Sequence, residues 1–284
     1  MKRSLCVAII GATALGANAL GVTGIGVVTL LVPAVAEAQD EFPYELESGR
    51  EIGLVAAGGV TLGLALLLDQ HTAVLDSAFI ATLDRSQVNC FDRGATHRWS
   101  PMAAKTSDYL SATMVISPLL LTAGGGGAKE PWTVTAMYAE TWLLNNGLTA
   151  LIKTAVARTR PFVYNDDPQV PLQMKKSRTA RRSFPSGHTS NAFAGALFIG
   201  TVYEKLNPHS SAKGWVWGGA LTLATTTGVL RYVAGKHYPT DILAGALLGA
   251  AVGYLVPKWH EGDLNDQARL TAGKGFQVAW GFGF

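Results

Sequence analysis

Charge is scarce in this chain. Only 15% of its 284 residues are Asp, Glu, Lys or Arg, against ~25% in ordinary soluble domains. Cysteine is nearly absent, with Cys6 and Cys90 alone, so a disulfide scaffold is excluded. No paired Cys/His spacing is present, which removes a structural zinc motif. The net charge is only +3 and no long basic tract dominates, so a nucleic-acid binder is not expected. Glycine is abundant at 32 residues but follows no triplet, which removes collagen. Hydrophobic residues make up 48%, enough apolar mass to exclude disorder. A compact or membrane-embedded helical protein remains.

The N-terminus has the order of an export signal. Lys2 and Arg3 precede an apolar Gly/Ala-rich stretch to Val32, and Ala36-Glu37-Ala38 offers a small-x-small cleavage site. Residues 1–38 therefore read as a signal peptide, with Gln39 as the mature N-terminus. The stretch exceeds the usual ~15–30 residues, and an uncleaved anchor is the alternative. Cleavage leaves Cys90 alone, so an exported protein would owe its stability to packing or to the membrane.

Six apolar segments follow: Ile52–Leu68, Leu110–Ala123, Trp132–Ile152, Thr189–Val202, Gly214–Leu230 and Ile242–Val256. Pro257 is expected to stop the last, and the run Gly124–Gly127 to break the chain after the second. Length and Ala/Leu/Gly/Thr composition favour helices. The expected fold is all-α, a bundle of about six core helices, with membrane association. Lengths of 14 to 21 residues do not decide spanning, since a span needs about 20. Trp132, Trp215, Trp217 and Trp259 at segment ends suit an interfacial belt. Gly245, Gly249 and Gly253 recur on one helix face and allow close helix packing. The chain divides into the leader, an N-terminal segment at 39–109, a core at 110–257 and a tail at 258–284. In the polar connection 69–109 nothing has catalytic spacing. The tail reads as a strand or hairpin arm.

Three motifs bear chemistry. Lys153 is followed seven residues later by Arg160-Pro161. On a continuous helix that spacing would turn both cations one way, with Pro161 ending the helix. Pro185-Ser186-Gly187-His188 opens the fourth segment. Helix-start amides and the dipole there favour an anion, and Gly187 permits close approach of a ligand. Arg231, His237 and Asp241 follow at spacings of six and four. A carboxylate at Asp241 can fix the tautomer of His237 and leave one nitrogen free. Together these groups suit a phosphate, whose transfer needs chiefly positioning and electrostatic stabilisation.

Lys153…Arg160-Pro161, Pro185-Ser186-Gly187-His188 and Arg231…His237…Asp241 resemble the three ordered signatures of the type-2 phosphatidic acid phosphatase and vanadium haloperoxidase superfamily, over roughly residues 100–257. Leu230 stands where the family often has Ser or Gly. The resemblance implies that His237 attacks phosphorus to form a phosphohistidine, with Asp241 orienting it. His188 protonates the leaving alkoxide and helps activate water. Lys153, Arg160, Arg231, Ser186 and the Gly187 amide hold the phosphoryl oxygens. No cofactor or metal is implied, and the sequence shows no acidic cluster for magnesium. The expected substrate is a phosphorylated lipid: phosphatidic acid, phosphatidylglycerol phosphate or an isoprenyl pyrophosphate. The alternatives are an exported soluble acid phosphatase acting on small phosphoesters, a vanadate-dependent haloperoxidase, and an inactive membrane bundle. Lys175, Lys176, Arg178, Arg181 and Arg182 form a basic loop, solvated or contacting head groups, with Asp166 and Asp167 placed to pair with it. An outward-facing site in the cell envelope is expected. Six spans after a cleaved signal would turn it inward, so either one segment does not span or the bundle is exported whole.

Overall fold

The computed structural model describes residues 42–70, 72–122 and 130–262. The leader, the Gly124–Gly127 run and the tail from residue 263 lie outside the described residues, and so do the readings made of them. The described residues form nine α-helices, joined by turns and short 3₁₀ segments. These are α1 (Ser48–Asp69), α2 (Ser77–Ala81), α3 (Cys90–Arg93), α4 (Pro101–Ile116), α5 (Pro131–Val156), α6 (Leu172–Lys175), α7 (Gly187–Leu206), α8 (Lys213–Val233) and α9 (Pro239–Trp259). The expected all-α bundle of six core helices is what forms.

Two boundaries differ from the apolar runs. The second core helix begins at Pro101 rather than Leu110. Ser100 caps it, its Oγ accepting from the Ala103 N–H at 3.2 Å, and Pro101 occupies the first turn. The charges of Lys105 and Asp108 lie on this helix and broke the apolar pattern. Beyond Ile116 the chain tightens to a 3₁₀ turn ending at Leu121. At the other end, α9 does not stop at Pro257 but carries it in its last turn and ends at Trp259.

Side-chain contacts fix the helix directions. Gly245, Gly249 and Gly253 of α9 lie against Ser186, Ser190 and Ala194 of α7, so these two helices run parallel. Contacts of Thr149 and Lys153 with Ser190 and Pro185 set α5 antiparallel to α7. Those of Gly228 and Gly200 with Thr189 and Trp217 do the same for α8. Thus α1, α5 and α8 run towards one end of the bundle, and α4, α7 and α9 run away from it. All three sequence motifs fall at that end.

Helix α7 is the central rod, packed on α9, α8, α4 and α5. The glycine row has the close-packing role expected of it, with α7 of the same chain as its neighbour. A Cβ at 245, 249 or 253 would run into the carbonyl oxygen of Ser186, Ser190 or Ala194. The polar residues that interrupt the third segment are paired across the core. Asn145 donates to Asn191 Oδ1 at 2.7 Å and accepts from Ser190 Oγ at 2.7 Å, and Asn191 donates to Asn146 at 3.2 Å.

The outer surface is strongly apolar. On α1, Ile52, Val60, Leu66 and Leu67 are exposed, as are Leu243, Leu247 and Leu255 on α9. These two helices are long and apolar enough to cross a membrane, and most of each is uncovered by protein. Trp132, Trp215, Trp217 and Trp259 all lie at the end remote from the motifs. The first two and Trp259 are exposed, while Trp217 donates to Glu204 at 3.0 Å.

The α7–α9 seam yields a pair of substitutions of opposite sign. Gly249→Ala forces two backbones apart and is expected to destabilise by about 1–3 kcal/mol. Gly218→Ala, whose Cβ meets open space on α8, is expected to stabilise by about 0.5–1 kcal/mol. Thermal unfolding in detergent measures both.

Candidate active site

Helix α5 ends before Arg160, which corrects the reading that Lys153 and Arg160 share a helix face. Ala157 adopts a left-handed conformation (φ 46°, ψ 39°) and its N–H returns to the Lys153 carbonyl at 3.0 Å. The chain leaves the helix there and Arg160 is extended. The two cations still converge, because Lys153 Nζ and an Arg160 NH group donate to the same Arg182 carbonyl, at 3.2 and 3.3 Å. Lys153 also donates to the Pro185 carbonyl. Arg160 reaches the Thr179 carbonyl at 2.9 Å. Both cations are held by neutral carbonyls that leave their charge uncancelled.

Ser186 is the N-cap of α7. Its buried hydroxyl lies 2.8 Å from Thr189 Oγ1, with either oxygen able to donate, and accepts from the Thr189 N–H at 3.5 Å as the helix cap. Its N–H donates to the Asp241 carbonyl at 2.9 Å, which pins the start of α7 to the start of α9. A Cβ on Gly187 would lie 3.4 Å from Lys153 Cε; the glycine lets the first turn of α7 rest on the lysine stem. His188, the next residue, faces partly into solvent, with Nε2 2.9 Å from Asp108 Oδ1.

Arg231, in the last turn of α8, is buried and donates to the same Asp108 oxygen at 2.8 Å and to Ser107 Oγ at 3.1 Å. After α8 the chain turns at Gly235 (φ 67°), where a Cβ would run into the Arg98 carbonyl. This turn delivers His237, only 1% exposed. His237 Nδ1 lies 3.5 Å from Asp241 Oδ2, adjacent but without a formed hydrogen bond. Asp241 itself is held rigidly. Oδ1 accepts from Arg158 at 2.6 Å, and Oδ2 accepts from Ser183 Oγ at 2.6 Å and the Tyr238 N–H at 2.9 Å.

Arg158, Asp92, Asp108 and Ser183 escaped the sequence analysis. Arg158 bridges two buried carboxylates, giving its other NH group to Asp92 at 2.7 Å. Asp92 also accepts from Thr240 Oγ1 at 2.7 Å and the Thr240 N–H at 3.1 Å. The connection 69–109, in which no catalytic spacing is visible, thus brings Asp92 and Asp108 into contact with the motif residues. Asp166 pairs with Arg85 at 2.8 Å rather than with the basic loop, whereas Arg182 of that loop reaches Asp69 at the end of α1 at 3.3 Å.

Burial, followed by the charges of Arg160, Lys153 and Arg231, holds the His237 imidazole well below its usual pKa. His188 is pushed down to about 4, by burial first and then by Arg231, with Asp108 opposing. Both rings are therefore neutral at pH 7 in a strongly cationic surround, which suits an anionic ligand.

The model of the PAP2 superfamily matches residues 135–264, which hold all three motifs. Phosphatidylglycerophosphatase B of Bacillus subtilis is 30% identical over 163 residues, 54% of this chain and 71% of that protein. The chain belongs to the PAP2 superfamily. A lipid A 1-phosphatase of Porphyromonas gingivalis is 37% identical over 83 residues, 29% of this PAP2 chain but only 17% of that protein. A decaprenylphosphoryl-5-phosphoribose phosphatase of Mycobacterium tuberculosis is 30% identical over 128 residues, 45% of this chain and 60% of that one. The PAP2 chain thus spans a small part of the first of these two and under two thirds of the second. The crystal structure of a transmembrane PAP2 type phosphatidylglycerolphosphate phosphatase from Bacillus subtilis aligns with a TM-score of 0.44 at 20% identity, covering 72% of this chain and 95% of that one.

Three measurements follow from this geometry. Arg158→Ala leaves the buried Asp92 and Asp241 without their shared cation and is expected to destabilise the PAP2 fold by about 3–5 kcal/mol. Arg158→Lys, which cannot span both carboxylates, should recover only part of this in chemical unfolding. For pH, the depressed histidine pKa values mean that the unfolded chain takes up protons below pH ~6.5 while the fold refuses them. Stability should be full above that pH and fall as the pH drops from about 6.5 towards 4, with the slope reduced in His188→Gln. Orthovanadate, an anion that screens the cations, should bind with net proton uptake, read as a buffer-dependent heat in titration calorimetry.

Proposed function

We propose that this protein is a metal-independent phosphatase of phosphorylated lipids, acting on phosphomonoesters or pyrophosphates through a phosphohistidine at His237. The observation that carries the reading is a buried, neutral His237 enclosed by the fields of Arg160, Lys153 and Arg231, beside the immobilised Asp241 carboxylate. Asp241 faces Nδ1, so the proton belongs on that nitrogen and Nε2 carries the attacking lone pair. Nε2 forms a bond to phosphorus while the P–O bond to the leaving group breaks. The imidazolium that develops is stabilised by Asp241, much as a buried aspartate serves a catalytic histidine elsewhere. His188, once bound phosphate has raised its pKa, gives its proton to the leaving oxygen and later takes one from the water that cleaves the phosphohistidine. Lys153, Arg160, Arg231 and the first amides of α7 stabilise the equatorial oxygens.

The lipid class is supported by the exposed apolar faces of α1 and α9 and by relatives whose names specify lipid A, decaprenylphosphoryl and phosphatidylglycerophosphate substrates. We assign Asp108 a gating part. Its Oδ1 bridges Arg231 and His188, the place a phosphoryl oxygen takes in this mechanism, and the half-exposed carboxylate swings out when substrate enters.

Purified protein in EDTA is expected to release phosphate from phosphatidic acid faster than from a small soluble phosphomonoester. His237→Ala should lose at least ~10⁴-fold, as removal of a covalent nucleophile does. No release from any lipid phosphate by folded wild type defeats the assignment. Asp108→Asn removes the charge competing for Arg231 and is expected to tighten orthovanadate inhibition about tenfold, ~1.4 kcal/mol.

The export signal in residues 1–38 favours a site outside the cytoplasm. Since α1 starts at the end remote from the site, this reading requires either that one of the segments does not span or that the bundle is exported whole. Cys90, exposed at the start of α3, reports the face: labelling in intact cells by a membrane-impermeant maleimide is the expected result.

A further inference from the structure

The end of the bundle remote from the histidines contains a second cluster of ionisable groups, which the phosphatase chemistry does not use. Glu51 lies in the first turn of α1, Glu140 on α5 and His260 just beyond the last turn of α9. His260 is fully buried and Glu140 nearly so. His260 Nε2 lies 2.8 Å from Glu51 Oε1 and 3.1 Å from Glu140 Oε2. Its other nitrogen, Nδ1, is 2.8 Å from the Val256 carbonyl. A carbonyl only accepts, so the proton belongs on Nδ1, and Nε2 presents a lone pair towards two carboxylates.

We propose that Glu51, Glu140 and His260 bind a divalent transition ion of the Zn²⁺ or Mn²⁺ type. Among the described residues Nε2 makes no acceptable hydrogen bond despite the short separations, and neither do Glu140 Oε2 or Glu51 Oε2, all of them buried; Glu51 Oε1, the oxygen nearest Nε2, accepts from Arg50. Ligands bonded at about 2.1 Å to one ion are about 3 Å apart at right angles and about 3.4 Å apart in a tetrahedron, so these separations need only a small adjustment to hold one. Ligand atoms of the three residues all lie within 4.8 Å of one another. The Nδ1–H to carbonyl bond is the outer contact that usually orients a ligating histidine. Imidazole with two carboxylates suits Zn²⁺ or Mn²⁺ better than calcium or a soft thiophilic ion.

Among the described residues one cation, Arg50, contacts the triad, and it reaches Glu51 alone, its Nε donating to Oε1 at 3.1 Å. Its NH groups cap the Trp259 and Glu45 carbonyls. Lys258 sits on Glu261 at 2.7 Å. The ion would lock α1, α5 and α9 together about 20 Å along α5 from Lys153, taking 1.5 Å per residue. It is a structural site, independent of the phosphatase reading and of its metal-independent chemistry. Linear Cys/His spacing does not reveal it, because its ligands come from three helices.

The test uses the full chain purified in detergent without chelator. Elemental analysis is expected to find about one equivalent of Zn²⁺ or Mn²⁺ per chain. EDTA dialysis should remove it and lower the Tm by about 5 °C or more, and Zn²⁺ should restore it. His260→Ala and Glu140→Gln should each hold less than a tenth of an equivalent. EDTA-treated wild type should keep its phosphate release below the lowered Tm, so loss of the ion and loss of catalysis are read separately. The proposal is overturned if wild type titrated with Zn²⁺ and Mn²⁺ takes up neither and its Tm ignores EDTA; the triad is then a protonated imidazole between carboxylates. Equal metal in the two variants and wild type also overturns it.

Discussion

Arg158 is the interaction on which the site depends. One guanidinium joins Asp92, from the connection after α1, to Asp241, in the first turn of α9, and lies 4.0 Å over the Tyr238 ring. Two carboxylates buried near one another repel, and the shared cation offsets that repulsion and fixes both side chains. Everything that positions His237 follows from this. Asp241 holds the Tyr238 N–H and Ser183, while its carbonyl takes the Ser186 N–H. A single cation thereby sets the relative height of α7, α9 and the loop between α8 and α9.

The helix ends supply the second layer of order. The N-termini of α7 and α9 point at the site and bring the positive ends of their dipoles. The C-termini of α5 and α8 point there too and bring the negative ends. Lys153 and Arg231 lie in the last turns of these two helices, where a cation offsets the C-terminal dipole. After burial, the charges that act most on His237 are those of Arg160, Lys153 and Arg231.

The helices were legible because apolar length and composition are local properties, and the motif residues because their types are rare in apolar segments. What stayed hidden was non-local. Arg158 is separated from Asp92 by 66 positions and from Asp241 by 83, and Arg231 from Asp108 by 123. No spacing rule connects such pairs. The error over Arg160 had a local cause: the helix ends on a left-handed alanine, a conformation that glycine usually announces and Ala157 does not. Pro257 misled in the opposite sense, because a proline near a helix end removes only one hydrogen bond from a turn that is already fraying.

The glycine row between α7 and α9 also determines how a large substrate can arrive. Where two backbones touch, there is no gap as wide as a hydrocarbon chain, and the seam is closed along its length. A long-tailed molecule cannot thread the bundle between these helices to present its head group. For the lipid substrate proposed above, the polar end would have to be presented by another face, over the rim near His188 and Asp108, with the tail left in its original solvent.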